Sequence, residues 1–355
     1  MTTHSKQVSK PVKKKRPKKG LKTGLFLAFL GFMLLAGGLG SLGYEALQQP
    51  VVLSQPVTLD IAQGMGFRQI AHQLQEKRIW LHPYWMAVYA KLTKQDYRIK
   101  AGYYQFEGTV QPIEVLEDLV AGNVKPLQIT LVEGLTFQQW LQQLHTMPEI
   151  KQVLSLMPDA QEAIKQQLGI SEASLEGWFY PDTYQFSPGT TDKDILLQAH
   201  RAMREHLDRL WSARAADLPY QSPYEALIMA SIIEKETAQP SERSRIGGVF
   251  LNRLRLDMKL QTDPTVIYGL GTAFQGNLTR EHLKQPTAFN TYLNKGLPPT
   301  PIAMVSAASL HAALHPEPTD ALYFVAKNDG FHEFSATLKA HNDAVQLHQL
   351  SHAQP

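Results

Sequence analysis

The stretch GLFLAFLGFMLLAGGLGSLGY, residues 24–44, constrains this 355-residue chain more than any other, because Ser41 and Tyr44 carry its only side-chain polar groups. At 1.5 Å rise per residue, about 20 apolar residues cross a hydrocarbon layer roughly 30 Å thick. Residues 1–23 hold nine Lys or Arg and no acid, so the positive-inside rule predicts a cytoplasmic tail (1–23), a transmembrane helix (24–44) and an exported remainder. The KKKR run reads as a topology signal rather than a nucleic-acid tail, given the apolar segment beside it. A cleaved signal peptide would have a shorter apolar core and a small-residue cleavage site. Five glycines between Gly31 and Gly43 argue against a buried core helix.

Removing the tail reverses the sign of the charge. Of 35 basic side chains nine lie before residue 24, which leaves 26 against 32 acidic ones, a net of −6. That balance argues against a nucleic-acid-binding domain. The chain has no cysteine, which excludes disulfides, thiolate metal sites and a cysteine nucleophile.

The exported part reads as α+β in two pieces. After a Gln/Pro linker (45–56), VTLDIAQGMG predicts a strand and a glycine turn. Two helical patterns follow, split near Trp80–Pro83, then the strand AGYYQF and a short helix stopped at Gly122 or Asn123. This β-α-α-β unit, residues 57–126, resembles the LysM-like fold of glycan-binding modules. From residue 127 to 348 strand and helix signals alternate irregularly, which predicts a larger mixed α/β domain rather than a doubly wound sheet. Residues 349–355 read as a tail. Trp178, Phe179, Tyr180 and Tyr184 cluster around Pro181, as core packing or as a platform for sugar rings.

The chemistry concentrates in SPYEALIMASIIEKETAQ, residues 222–239. Ser222 suits an N-cap, Pro223 a first turn, and Glu225 the third position of a capping box. Met229, Ile232, Ile233 and Glu236 fall at i, i+3, i+4 and i+7, one helical face. Glu234 lies ~200° around the helix from Glu236, flanked by Ala230 and Ser231, and reads as a solvated residue. Glu236 extends the apolar stripe, where desolvation disfavours the charged form, and a carboxyl held protonated near neutral pH is what a general acid needs. On pattern alone the alternative stays open: the helix frays before residue 236 and Glu236 is solvated.

SERSRIGGVFLNRLRLDM predicts a second amphipathic helix, with Ile246, Val249, Phe250, Leu254 and Met258 along one side. It runs into LQTDPTVIYG, where Pro264 predicts an extended or turn conformation at Asp263. Together IIEKETA and SERSRIGGVFLNRLRLDMKLQTDPTVIYG resemble the signature of the endolytic murein transglycosylases of the YceG-like (MltG-type) family. LVEGLTF, EGWFYPDTY, PTAFNTYLNKGLPPTPI and ALYFVAKNDGFHEFSATLKAHN match in the same order, so the resemblance covers nearly the whole chain.

The resemblance implies a lyase that cuts peptidoglycan glycan strands between MurNAc and GlcNAc and leaves 1,6-anhydro-MurNAc ends. It puts the catalytic glutamate at Glu236, the residue the face argument singles out. It further implies attachment to the bacterial inner membrane, a periplasmic catalytic domain, peptidoglycan synthases as neighbours, and a role in ending glycan elongation. Gln261, Thr262, Asp263, Tyr268 and Asn290 are the candidates for sugar contacts, with Asp263 the candidate second carboxylate. No metal and no cofactor are expected: HAALH (His311, His315) has a zinc helix's spacing but lacks the glutamate after its first histidine. His332 and Glu333 read as a surface pair in a hairpin. Two other functions fit the same features, a non-catalytic peptidoglycan-binding scaffold and a muramidase-type hydrolase using water.

Overall fold

The computed structural model describes residues 19–157 and 160–350, and the chain divides into two compact units between Lys125 and Pro126. Most of the expected basic tail (1–18) and residues 351–355 of the expected C-terminal tail lie outside the described residues.

The first unit opens with helix α1 (Lys19–Gln48), whose apolar part, Gly24–Gln48, is long enough to cross a membrane and is exposed along residues 24–42. Residues 45–56 are not the linker the composition suggests. The helix continues to Gln48, Leu47 enters the unit's core, and strand β1 (Val51–Val52) pairs antiparallel with β4 (Thr109–Val110). Between them lie β2 (Val57–Ile61), α2 (Phe67–Glu76), α3 (Pro83–Leu92) and β3 (Gly102–Phe106), followed after β4 by α4 (Pro112–Ala121). β2 and β3 pair antiparallel from Val57↔Phe106 to Ile61↔Gly102, which turns Leu59 and Tyr104 together into the core. Trp80 closes the space beneath them and donates its indole N–H to the Pro112 carbonyl at 3.2 Å. α4 ends where expected: Gly122 takes a left-handed φ of 78°, a conformation glycine adopts without a Cβ penalty.

The second unit is mixed and mainly helical. It comprises β5 (Leu127–Leu131), α5 (Phe137–His145), α6 (Gln161–Leu168), β6 (Asp182–Phe186), α7 (Asp192–Ser212), α8 (Pro223–Glu236), α9 (Arg243–Arg255) and α10 (Asp263–Leu270). α11 (Ala307–Leu314), β7 (Tyr323–Ala326), β8 (His332–Ser335) and α12 (Leu338–Val345) complete it, α12 continuing to Leu350 as a wider π-type turn. Two antiparallel pairs, β5–β6 and β7–β8, flank the helices. Phe179 and Phe137 pack with ring centroids 5.2 Å apart, and Trp178, Phe179 and Tyr184 are buried, so this aromatic cluster is core.

α8 is the central helix, packed by α7, α9, α10 and α11. It starts as its sequence predicts, with the Ser222 hydroxyl accepting from the Glu225 N–H, although the Glu225 carboxylate takes the Gln221 N–H rather than that of Ser222. Every residue from Ala226 to Ile233 is buried. The helix is therefore not two-faced as the stripe of Met229, Ile232 and Ile233 suggests, and its neighbours decide where each glutamate goes. α9 also packs closely against α11 and the segment that follows it, at Gly247 and Gly248, where an added Cβ would overlap the carbonyls of Ala312 and Glu317. α9 ends at Arg255, so Met258 lies beyond it, after Asp257 with φ of 54°.

Candidate active site

α8 stays helical through Glu236, and Thr237 then leaves in an extended conformation (φ −141°, ψ 135°). The two glutamates at this end part company. Glu234 is not solvated: its side chain is 4% exposed. Its carboxylate accepts from the Ser306 N–H at 2.9 Å and hydroxyl at 2.5 Å, and sits 3.6 Å from the Arg243 guanidinium. Ser306 caps α11, so Glu234 lies at a helix N-terminus, where negative charge is favoured. The sequence cannot show this, because the α11 cap, Ser306, lies 72 residues downstream.

Glu236 faces a groove of about 520 Å³ that is also lined by Arg253, Gln261, Asp263 and Tyr292. The Thr262 hydroxyl donates to its Oε1. Burial pushes the carboxyl up to about 7, with nearby Asp263 adding to the rise, while the Thr262 hydrogen bond and the Arg253 guanidinium oppose it. The carboxyl is thus poised to give a proton and take one back near neutral pH.

Arg253 fixes this floor. Its Nε donates to the Leu322 carbonyl at 2.6 Å, and its Nη1 reaches the carbonyls of Lys259 and Leu260 and the Gln261 side chain within 3.1 Å. Gln261 holds φ at 53°. Thr262, not Asp263, is the extended residue (φ −113°, ψ 125°), and Asp263 opens α10 with Pro264 in its first turn. Proline is tolerated there because first-turn N–H groups have no intrahelical partner. Asp263 accepts from the Tyr292 hydroxyl at 2.6 Å.

Two expected sugar contacts are placed elsewhere. Asn290 is fully buried: its amide donates to the carbonyls of Leu283 and Gln285, and its Oδ1 accepts from the Tyr292 N–H at 3.0 Å. It shapes the loop that presents Tyr292. The Tyr268 hydroxyl donates to buried Glu176 at 3.1 Å, and Glu176 also accepts from the Phe137 N–H at the start of α5. Burial raises Glu176 to about 7 as well.

The opposite wall comes from β7, β8 and α12, with Tyr323, His332, His341 and Asn342 reaching the groove. His332 is not half of a surface pair. Successive strand residues point to opposite faces: His332 turns inward, its Nδ1 2.8 Å from Glu242 and its backbone N–H on the same carboxylate, while Glu333 pairs with His348. His341 stacks on Tyr323, and burial together with Arg253 lowers its pKa. Arg253 had a readable signal, since it continues Ile246, Val249 and Phe250 at i, i+3, i+4 and i+7 as Glu236 does on α8. Tyr292, Tyr323, His332 and His341 had none, because the groove gathers them from separate segments. Among the described residues no group of three or more His, Asp or Glu is placed to hold a metal ion.

The model of the YceG-like family matches residues 59–347. The chain is 31% identical over 331 residues to the endolytic murein transglycosylase of Bacillus subtilis (strain 168), covering 88% of this chain and 91% of that one. It is 27% identical over 336 residues to the endolytic murein transglycosylase of Streptococcus pneumoniae serotype 2, a longer protein of which it spans 60%, using 84% of its own length. A crystal structure of a yceG-like protein from Listeria monocytogenes aligns with a TM-score of 0.52 at 29% identity, covering 82% of this chain and 99% of that one.

Proposed function

The chain belongs to the YceG-like family, and from that premise we propose that it is a membrane-anchored endolytic lytic transglycosylase. It cuts MurNAc–GlcNAc bonds within peptidoglycan strands and leaves 1,6-anhydro-MurNAc ends. The observation that carries this reading is Glu236, a largely enclosed carboxyl raised to about 7 that opens on a groove in the second unit. The names of the bacillar and streptococcal relatives supply the substrate.

Glu236, protonated, gives its proton to the departing glycosidic oxygen as the bond to C1 breaks. The carboxylate so formed then takes the proton of the MurNAc C6 hydroxyl as that oxygen bonds to C1. The proton moves from O6 to the leaving oxygen by way of Glu236, and the nucleophile belongs to the substrate. One carboxyl therefore does work that glycosidases using water divide between two. The Thr262 hydroxyl stabilises the anionic stage. Asp263, steadied by Tyr292, supplies negative charge toward the positive charge that develops at C1. Gln261 and Asp263 are the expected residues that reach the groove, whereas Thr262 acts through Glu236, and Tyr268 and Asn290 are supports.

α1 serves as a single-pass anchor in the bacterial inner membrane with its N-terminus in the cytoplasm. The charge asymmetry supports that orientation, and the exposed apolar residues 24–42 support the anchor. The β2-α2-α3-β3 arrangement supports a LysM-like module in the first unit.

Digestion of purified murein by the full chain in detergent, with products read by mass spectrometry, tests the function. Ends lighter than reducing ends by one water, absent with Glu236→Gln, are the expected result. New reducing ends would make the protein a hydrolase, and no new ends would make it a scaffold.

A further inference from the structure

The exit end of α1 is no free tether. Leu47 is buried in the core of the first unit, and Gly43 lies so close to Trp85 of α3 that an added Cβ would overlap the indole. The contact holds the start of α3 against the last turns of the apolar helix, where Tyr44 is half exposed. Beside Trp85 the surface is apolar: Leu81 is 56% and Tyr84 73% exposed, and the strip continues at helical spacing through half-buried Val88 to Leu92, 79% exposed. Single exposed apolar side chains are ordinary; a row in helical register is a face.

Charge marks the same segment. Residues 77–100 hold six Lys or Arg and one acid, Asp96, a net of +5. The whole chain beyond residue 44 is net −6, so everything else there is net −11. Lys91 and Lys94 are exposed beside Leu92. Aromatic and aliphatic side chains bordered by lysine, adjoining the end of a membrane-length helix, have the composition of a bilayer interface.

We propose that this face of the first unit, led by Leu81 and Tyr84, rests in the headgroup layer of the leaflet from which α1 emerges, with Lys91 and Lys94 against anionic lipid phosphates. The occupant is lipid because the face is continuous with α1 through the Gly43–Trp85 contact. The inference rests on the reading of α1 as a membrane anchor.

The chain has no cysteine, so single nitroxide labels can be placed on the full protein at Tyr84→Cys and, in mid-α1, at Met33→Cys. Both side chains are exposed, so neither substitution disturbs the core. In mixed phosphatidylcholine–phosphatidylglycerol vesicles, power saturation compares collisions with oxygen, which partitions into lipid, and with a water-soluble nickel chelate. The expected result is a several-fold rise in the oxygen-to-nickel ratio at both sites over the free label in buffer, larger at residue 33. A label at 33 deep in lipid with one at 84 fully in water would overturn the interfacial docking and leave the anchor standing. A water-exposed label at 33 would overturn the anchor and the docking with it. Protection of residue 84 by murein fragments instead of lipid would identify the face as a glycan site and also refute the proposal.

Discussion

Replacing Thr262 by valine should move the pH dependence of the reaction without disturbing the fold. The hydroxyl of Thr262 donates to Glu236 and opposes, more than any other group, the rise that burial imposes on that carboxyl. Valine keeps the branched shape and extended preference that the position needs. No helix cap is lost, because the Thr262 side chain does not cap α10, and the backbone N–H keeps its bond to Thr291 Oγ1 at 3.1 Å. A hydrogen bond to a charged group contributes about 1.5–3 kcal/mol. At 1.36 kcal/mol per unit, complete loss would raise the pKa by about 1–2 units. Water from the open groove replaces part of the bond, so a rise of about one unit is expected.

The assay is kcat/KM for release of anhydro-ended fragments as a function of pH. Glu236 must be protonated for the first step, so activity falls tenfold per pH unit above the pKa of the free enzyme, about 7 for the unaltered protein. In Thr262→Val that limb should begin near pH 8, by the shift of about one unit. Asp263→Asn should move it the other way, since the neighbouring negative charge contributes to the rise. A limb that stays in place in both variants would refute the claim that Glu236, tuned by these two neighbours, is the acid.

The other expectations concern stability and the far wall. The Glu236 pKa is raised on folding, so the folded state holds its proton more tightly than the unfolded one between about 4.5 and 7. Stability from this group is therefore lost as pH rises through that window, and Glu236→Gln should abolish activity while stabilising the protein by on the order of 1–3 kcal/mol at pH 8 and hardly at pH 4, as read by chemical denaturation. Glu176 titrates in the same direction and is common to both proteins, so it cancels. Glu242→Gln and His332→Gln should each lower kcat/KM several-fold, and the double variant little further, because one carboxylate orients one imidazole; additive losses would separate the two. Gly248→Ala should lower the melting temperature, with an overpacking cost of about 1–3 kcal/mol where the new Cβ meets the Glu317 carbonyl.

The local parts of this architecture were legible and the assembled parts were not. The helix start at Ser222, the stop at Gly122 and the β-α-α-β order follow from short-range rules that need no partner segment. Glu236 and Arg253 share a signature, a charged residue continuing an apolar helical row. On α8 it points to the groove, and on α9 it marks Arg253, which is buried and carries much of the groove floor. The burial of Glu234 is not legible locally, because its environment is made by the N-terminus of α11. Asn290 looked like a ligand for sugars because a polar side chain in a Pro- and Gly-rich loop says nothing about whether the loop's own carbonyls will use it. His332 failed for a similar reason: strand alternation predicts that it and Glu333 diverge, but not which one meets Glu242.

The groove is lined on one side by residues between 236 and 292 and on the other by residues between 323 and 349. A ribosome making this chain therefore finishes the Glu236 carboxyl long before it finishes the wall opposite. Domains generally fold as units while synthesis proceeds from the N-terminus, so a nascent chain still lacking β7, β8 and α12 would carry Glu236 without the surface that holds a glycan against it. The groove therefore takes shape only once β7, β8 and α12 have been made and packed.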